Sequence, residues 1–310
     1  MTPRVIAIFG PTGIGKTGVA IELARLLDAR GEPAVAVNCD SIQVYSGLPI
    51  ISGAPSREEL DALEHRLLGF VPLTEEYSAG RYAAAAHEEI DGLISAGRRV
   101  IVVGGTGLYL RAALAELDLR PPVSPELRQE VESEVERLGP EALHEKLPQR
   151  FREWVQPGDR KRIARITELV RAGHEPAADQ LRGGELWTRE LRHPALLAGL
   201  TEEDGPLTDR ISLRVEAMAA AGAAQEAESA TRAGASRTVR AAIGFEQFPA
   251  GDLERIKILH RRYGRRQMTW MRRMDGVEVF PREGQDNGAV ARRILRQADR
   301  DGNILDSGTK

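Results

Sequence analysis

Apolar positions follow two rhythms along the first hundred residues. Val5-Ile6-Ala7-Ile8-Phe9 is an unbroken apolar run, Ala34 to Val37 is a second, and Val100-Ile101-Val102-Val103 is a third. Unbroken runs of this length suit strands buried on both faces, as in a parallel sheet. Between them, Thr17 to Leu27 places Val19, Ala20, Leu23 and Leu27 on one helical face, and Arg81 to Ala96 also reads as helix. The alternation predicts an α/β fold, a parallel sheet covered by helices on both faces. Ligands in such folds bind beyond the carboxyl ends of the strands.

The pattern changes at Pro121-Pro122. Residues 125 to 190 are helical in composition and carry no strand pattern, which predicts a helical insertion over 119–193. Ala195 to Leu200 then reads as a return strand, followed by helices near 208–233, 252–274 and 286–299. The expected organisation is a core over 1–118, the insertion, a second part of the core over 194–300, and a flexible tail over 301–310. No internal repeat is present.

Composition narrows the class. The chain has 310 residues, 42% hydrophobic and 29% charged, enough for a packed core. A net charge of -3 means that any nucleic-acid surface must come from local clustering. The single cysteine, Cys39, excludes an intramolecular disulfide and fits a reducing, cytoplasmic location. No apolar run approaches the roughly 20 residues of a membrane span, so no membrane partner is expected. The run Val5 to Phe9 is too short for a signal peptide and reads as the first buried strand.

The first candidate chemistry follows that strand. Gly10-Pro11-Thr12-Gly13-Ile14-Gly15-Lys16-Thr17 has the spacing of a P-loop, with a strand before it and a helix after it. Glycines let backbone amides turn inward around an anion, and the helix N-terminus adds partial positive charge. Lys16 is placed to reach terminal phosphate oxygens, and the Thr17 hydroxyl to join a Mg2+ shell. The motif is specific for a di- or triphosphate and silent about the reaction. A nucleotide hydrolase adds a strand ending in an acid, yet Val100 to Val103 runs into Gly104-Gly105-Thr106-Gly107-Leu108-Tyr109. The only acid closing a strand in this reading is Asp40. A diphosphate leaving group therefore fits the loop better than a hydrolysed nucleotide.

Three strand ends carry a resemblance. The P-loop, Asp40-Ser41-Ile42-Gln43-Val44-Tyr45 and Gly104 to Tyr109 are similar to the three signatures of the tRNA dimethylallyltransferase family. Arg128 in Pro125-Glu126-Leu127-Arg128, Asp159 with Arg160, Lys161, Arg162 and Ile163, Arg240 before Ala242-Ile243-Gly244-Phe245, and Arg266-Gln267-Met268-Thr269-Trp270 agree with it, in order, over nearly the whole chain. The resemblance implies a P-loop NTPase-like fold with a helical insertion domain. It implies transfer of a dimethylallyl group from dimethylallyl diphosphate to N6 of the adenosine 3′ of the anticodon in tRNA, with Mg2+. By the same resemblance, Asp40 takes or orients the N6 proton, Thr106 contacts the reacting diphosphate and Arg240 binds it. Asp40 to Gln43 handle the target base, and Arg128 with Asp159 to Ile163 contact the tRNA. Alone, Asp40 reads equally as a turn or capping residue, Gly104 to Gly107 as turn chemistry, and Arg240 as a surface arginine.

The chain departs from the family pattern in places. The usual Gly-Thr-Ala-Lys-Pro corresponds to Ser52-Gly53-Ala54-Pro55, without the lysine. His-Pro-Asn-Asp appears as Gln156-Pro157-Gly158-Asp159, and the paired histidines reduce to His65. These changes bear on tRNA contact rather than on the chemistry.

Residues 255–273 hold Arg255, Lys257, Arg261, Arg262, Arg265, Arg266, Arg272 and Arg273 and no acid. On a helix these fall on about one half of the circumference, with Ile256, Leu259, Tyr263, Trp270, Met271 and Met274 on the other. A one-signed face in a net-acidic protein suits a polyanion, so Arg261, Arg265 and Arg266 are assigned to tRNA. Arg160-Lys161-Arg162 with Arg165 form a second cluster. Trp154, Trp187 and Trp270 suit core or hinge packing better than base stacking. The expected enzyme is a monomer with tRNA and dimethylallyl diphosphate as partners. The alternatives are an adenylate isopentenyltransferase, which would need neither the insertion nor the basic helix, a P-loop small-molecule kinase, and a non-catalytic RNA-binding relative.

Overall fold

Six parallel strands form one sheet. They are β1 (Val5–Phe9), β2 (Ala34–Asn38), β3 (His65–Arg66), β4 (Arg99–Gly104), β5 (Ala195–Thr201) and β6 (Val277–Pro281), in the spatial order β3-β2-β4-β1-β5-β6. Every residue of β1 and of β4 is buried, so both faces of the sheet centre are covered. The apolar runs are therefore unbroken because neither face meets water. Each large aliphatic side chain buried there contributes about 1.5–3 kcal/mol. β3 has two residues and β6 carries the exposed Val279 at the sheet edge; neither has an apolar run to announce it.

The computed structural model describes residues 3–117, 123–174 and 190–307, so Pro121, Pro122 and Trp187 lie outside the described residues. The chain divides into two units, Met1–Glu116 with Arg189–Lys310, and Leu117–Thr188. In the first unit, α1 (Lys16–Asp28), α2 (Arg57–Ala62), α3 (Ala79–Ser95) and α4 (Gly107–Leu114) alternate with the strands. The second unit holds α5 (Pro125–Leu138), α6 (Pro140–Lys146), α7 (Gln149–Arg152) and α8 (Arg160–Arg171). They close on their own core of Val131, Val135, Leu143, Leu147, Phe151, Val155, Ile163 and Ile166. Back in the first unit come α9 (Asp204–Ala220), α10 (Ala223–Arg232), α11 (Arg237–Arg240), α12 (Leu253–Arg273) and α13 (Asn287–Ser307). α1 packs on α13, α3 on α4, and α9 on α12.

Two helical expectations change. The helix expected over 208–233 is two helices, because Gly222 adopts φ +99° and turns the chain after α9. The last helix continues to Ser307 rather than stopping near 299. Among the described residues no helix is long and apolar enough to cross a membrane.

Candidate active site

The strand register decides what meets at the carboxyl edge. Phe9 lies opposite Gly104 and Asn38 opposite Val103, so the segments after β1, β4 and β2 emerge side by side. The first of these is the phosphate loop. Gly13 and Gly15 take φ +82° and +86°, left-handed values that side chains other than glycine resist. A Cβ at Gly10 would stand 2.7 Å from the Leu200 carbonyl oxygen, so that glycine is fixed by packing against β5. Buried Ile14 pins the loop, and Lys16 folds back over it, donating Nζ to the Gly10 and Pro11 carbonyls at 3.1 Å each. Burial, and then the nearby Arg214 guanidinium, push the Lys16 ammonium down to about 8, opposed by the Asp40 carboxylate. Thr17 is half-buried in the first turn of α1, and its hydroxyl makes no hydrogen bond among the described residues.

Asp40 sits at the mouth of β2. Its Oδ1 accepts from the Ile42 and Gln43 backbone amides at 2.9 and 3.4 Å, and no described residue donates to its Oδ2. Buried Asn38 supports the turn through the Asp40 backbone, accepting from the amide nitrogen at 3.1 Å. Tyr82 in turn donates to the Asn38 carbonyl at 2.8 Å. The turn-residue reading of Asp40 is thus satisfied by one oxygen, with the other left open. Thr106, after β4, bridges to the same segment. Its Oγ1 accepts from the Ser41 amide at 3.2 Å and donates to the Ser41 hydroxyl at 3.3 Å, and the Tyr263 hydroxyl stands 3.4 Å away. Gln43 turns from the site to hold the Ser52 and Gly53 carbonyls at 3.3 and 3.0 Å.

Arg240 is exposed at the end of α11. It donates Nε to the Ala235 carbonyl at 3.0 Å and lies over the Phe245 ring, and none of its hydrogen bonds reaches the phosphate loop. α11 is tied instead to the segment between β3 and α3, where the Thr238 amide donates to Glu76 at 3.2 Å.

Several residues reach this edge from distant parts of the chain. Gln267 of α12 accepts from the Thr12 amide at 2.8 Å and donates to the Gly105 carbonyl at 2.8 Å, clamping the phosphate loop to the end of β4. Trp270 covers Gly107, where a Cβ would come within 2.4 Å of the indole. Arg282 donates to the Ile14 carbonyl and, at 2.8 Å, to Asn287. Arg214, on α9, donates to the Gly53 carbonyl at 3.2 Å and puts its positive charge near Lys16 and near the Asp40 and Glu59 carboxylates. The expectation that only Asp40 closes a strand is corrected: Glu202 follows β5, beside the phosphate-loop strand. Its carboxylate is nonetheless buried in an ion pair with Arg210 and lies near Arg282, so it is already matched by positive charge.

The basic helix is amphipathic, with a different centre to its buried face. Ile256, His260, Gly264, Gln267 and Met271 are buried, whereas Leu259, Tyr263 and Trp270 are half-buried. The reason is its neighbour: α12 packs on the polar backbone of the phosphate loop, where Gly264 meets Pro11 and Gln267 meets Thr12. Arg255, Arg262, Arg265, Arg266, Arg272 and Arg273 are exposed and Arg261 is half-buried. Lys257 is paired with Glu216 and Glu254.

In the helical unit the selected residues carry internal duties. Asp159 caps α8 by accepting from the Arg162 amide at 3.2 Å, and Ile163 is in the core. Arg128 lies 3.9 Å from the buried Glu168, and Arg160 pairs with Glu132 and Glu136. Lys161 is exposed.

Fold and site together define an α/β phosphate-loop protein with a carboxylate, Asp40, at the end of β2 and a hydroxyl, Thr106, at the end of β4. The chain belongs to the IPP transferase family, whose model matches residues 43–274. It is 38% identical over 307 residues to a tRNA dimethylallyltransferase of Anaeromyxobacter dehalogenans, covering 95% of this chain and 100% of that one. A tRNA dimethylallyltransferase of Thermobifida fusca is 35% identical, with 91% of each chain covered. The crystal structure of a tRNA isopentenylpyrophosphate transferase from Bacillus halodurans superimposes with a TM-score of 0.69 at 26% identity, over 97% of this chain and 98% of that one.

Proposed function

We propose that the protein transfers a dimethylallyl group from dimethylallyl diphosphate to N6 of the adenosine 3′-adjacent to the anticodon in tRNA, releasing diphosphate. The observation that carries the reading is the strand register that sets Asp40, with its Oδ2 open, at the same carboxyl edge as the phosphate loop and Thr106.

In the reaction the allylic C1–O bond breaks and its electron pair leaves with diphosphate. The N6 lone pair forms the new C–N bond, and the N6 proton passes to Asp40. An adenine amine is a weak nucleophile, and general-base help of this kind is typically worth about 10²–10⁴ in rate. Phosphate-loop amides and Lys16 meet the growing charge on the diphosphate. Each well-aimed donor contributes roughly 3 kcal/mol to the transition state. Thr106 is placed between the loop and the Asp40 segment, which suits contact with the diphosphate. Arg240 supports the reading least directly, because it contacts Ala235 and Phe245 rather than the phosphate loop.

A Mg2+ ion fits this edge if the ligand supplies most of its oxygens. The Thr17 hydroxyl is unengaged at the loop, and among the described residues no group of three His, Cys, Asp or Glu side chains could hold a metal. Bound there, the ion would neutralise charge on the leaving diphosphate. The exposed arginines of α12 suit a tRNA backbone, and a free nucleotide would leave them unused, which favours tRNA over adenylate as acceptor.

The test is an assay with dimethylallyl diphosphate, Mg2+ and either undermodified tRNA or AMP, followed by nucleoside mass spectrometry. N6-dimethylallyladenosine next to the anticodon, with AMP unreactive, is the expected result. Prenylation of AMP as efficient as that of tRNA would replace the reading with the adenylate one. ATP hydrolysis without transfer would replace it with a kinase or ATPase.

A further inference from the structure

α12 meets three successive residues of the loop that ends β4. Gln267 donates to the Gly105 carbonyl at 2.8 Å, the Tyr263 hydroxyl stands 3.4 Å from Thr106 Oγ1, and Trp270 covers Gly107. Tyr263, Gln267 and Trp270 are spaced four and three residues apart, so they share one stripe of the helix. Gln267 and Trp270 act on backbone, at a carbonyl and at a glycine. Tyr263 reaches a side chain, and that side chain lies at the carboxyl edge of the sheet. The helix does not need this contact to stay in register, because Gln267 already holds both Thr12 and Gly105, and Gly264 packs on Pro11.

The hydrogen-bonding capacity of Thr106 gives the contact a meaning. A threonine hydroxyl has one proton and two lone pairs. The Ser41 amide, which can only donate, takes one lone pair at 3.2 Å. What remains is one lone pair and one proton, shared between the Tyr263 and Ser41 hydroxyls. A phenol is a stronger acid than an aliphatic alcohol and a poorer acceptor, since its oxygen is delocalised into the ring. Tyr263 is therefore the donor of its pair and Thr106 the acceptor. The phenol keeps its proton, because burial first, and then the Asp40 charge, hold it well above the usual tyrosine range. With both lone pairs filled, Thr106 can meet any further group only as a donor. Its proton here goes to the neutral Ser41 hydroxyl at 3.3 Å, a long bond of its kind. A negatively charged oxygen accepts such a proton more strongly.

We propose that Tyr263 is a positioning residue for the transfer: by donating to Thr106 Oγ1 it fills the second lone pair and sets the Thr106 hydroxyl as a donor to the leaving diphosphate. The inference rests on the reading of Thr106 as a diphosphate contact. Without the phenol, the threonine is free to turn a lone pair toward the anion, which repels it.

The test is a double-mutant cycle on the whole protein, read as the single-turnover rate with dimethylallyl diphosphate, Mg2+ and tRNA. Tyr263→Phe keeps the ring, and with it the Arg266 guanidinium 5.6 Å from its centre, and removes only the hydroxyl. It should slow transfer about three- to tenfold, the range for one neutral hydrogen bond, with the KM for tRNA unchanged. Thr106→Val should slow it about 10- to 100-fold, since a bond to a charged group is lost. In the Thr106→Val background Tyr263→Phe should cost nothing more, because no hydroxyl is left to orient. Thr106→Ser keeps a hydroxyl, and in that background the loss from Tyr263→Phe should return. If Thr106→Val does not fold, Thr106→Ala takes its place in the cycle. The same factor for Tyr263→Phe with and without the Thr106 hydroxyl would make Tyr263 merely structural. That result, or a wild-type rate in Tyr263→Phe, would overturn the role of Tyr263 alone. A wild-type rate in Thr106→Val would overturn Thr106 as a diphosphate contact, and this inference with it.

Discussion

The side-chain amide of Gln267 bonds the backbone amide of Thr12, 255 residues earlier in the chain, at 2.8 Å. Its other end holds the Gly105 carbonyl, so one side chain fixes the spacing between the phosphate loop and the end of β4. Each such hydrogen bond is worth about 0.5–1.5 kcal/mol, and the buried amide of a truncated partner costs more. Gln267→Leu should therefore weaken donor binding roughly tenfold while tRNA affinity holds. Fluorescence or calorimetric titration with dimethylallyl diphosphate measures it, and equal donor affinity in the two proteins would remove Gln267 from the site.

Asp40→Asn is the sharpest test of the base. Asn retains an oxygen for the Ile42 and Gln43 amides, so the turn and the fold should survive. It cannot take the N6 proton at neutral pH. Single-turnover transfer should drop about 10²–10⁴-fold with diphosphate affinity close to wild type. A near-normal single-turnover rate would show that the proton goes elsewhere.

His260 gives a pH signature in stability. Burial, with Arg214 second, lowers its folded value to about 4, against an ordinary 6.5. Between these values the unfolded chain binds the proton that the folded one refuses. Stability should thus be full above pH 6.5 and decline as pH falls toward 4, by at most about 3 kcal/mol from this group. In His260→Leu this part of the decline should vanish, and the unpaired ring nitrogens go with it. Urea melts of the two proteins from pH 7 to pH 4.5 measure the difference. Parallel pH curves would mean that the imidazole protonates freely in the folded state.

The outer face of α12 should act on RNA phosphates. Arg265 and Arg272 are both exposed, seven residues and about two turns apart. Changing both to Gln should weaken tRNA binding and flatten the slope of log affinity against log salt by up to about two. Melting temperature should not move. An unchanged slope would place the RNA on another surface.

Much of this was legible in the sequence, and the misses share a cause. β1, β4 and the phosphate loop were plain because burial on both faces leaves an unbroken apolar run and a glycine turn leaves a spaced motif. β3 and β6 were missed because an edge strand of two to five residues needs no such run. Periodicity puts Ile256, Leu259, Tyr263, Trp270, Met271 and Met274 on the apolar side of α12, whereas Gly264 and Gln267 are buried in it. A helix that packs on backbone amides instead needs glycine and an amide side chain, and these look polar or neutral in any periodicity count. Gln267 stood inside a quoted motif but its task depended on Thr12 and Gly105. Arg214 had one faint signal, a charge set between the buried positions Ile211 and Val215. Glu202 was overlooked because it follows an alanine- and leucine-rich strand whose place beside β1 only the fold reveals.

The double duty of α12 has a thermodynamic consequence. One rigid rod touches the donor loop with one side and turns six arginines to the other. Any displacement of the rod is felt at both surfaces. By linkage, whatever factor a docked polyanion applies to donor affinity through this helix, the donor must return to the polyanion in full. The two substrates thus share one coupling factor through a single lever, whichever of them binds first.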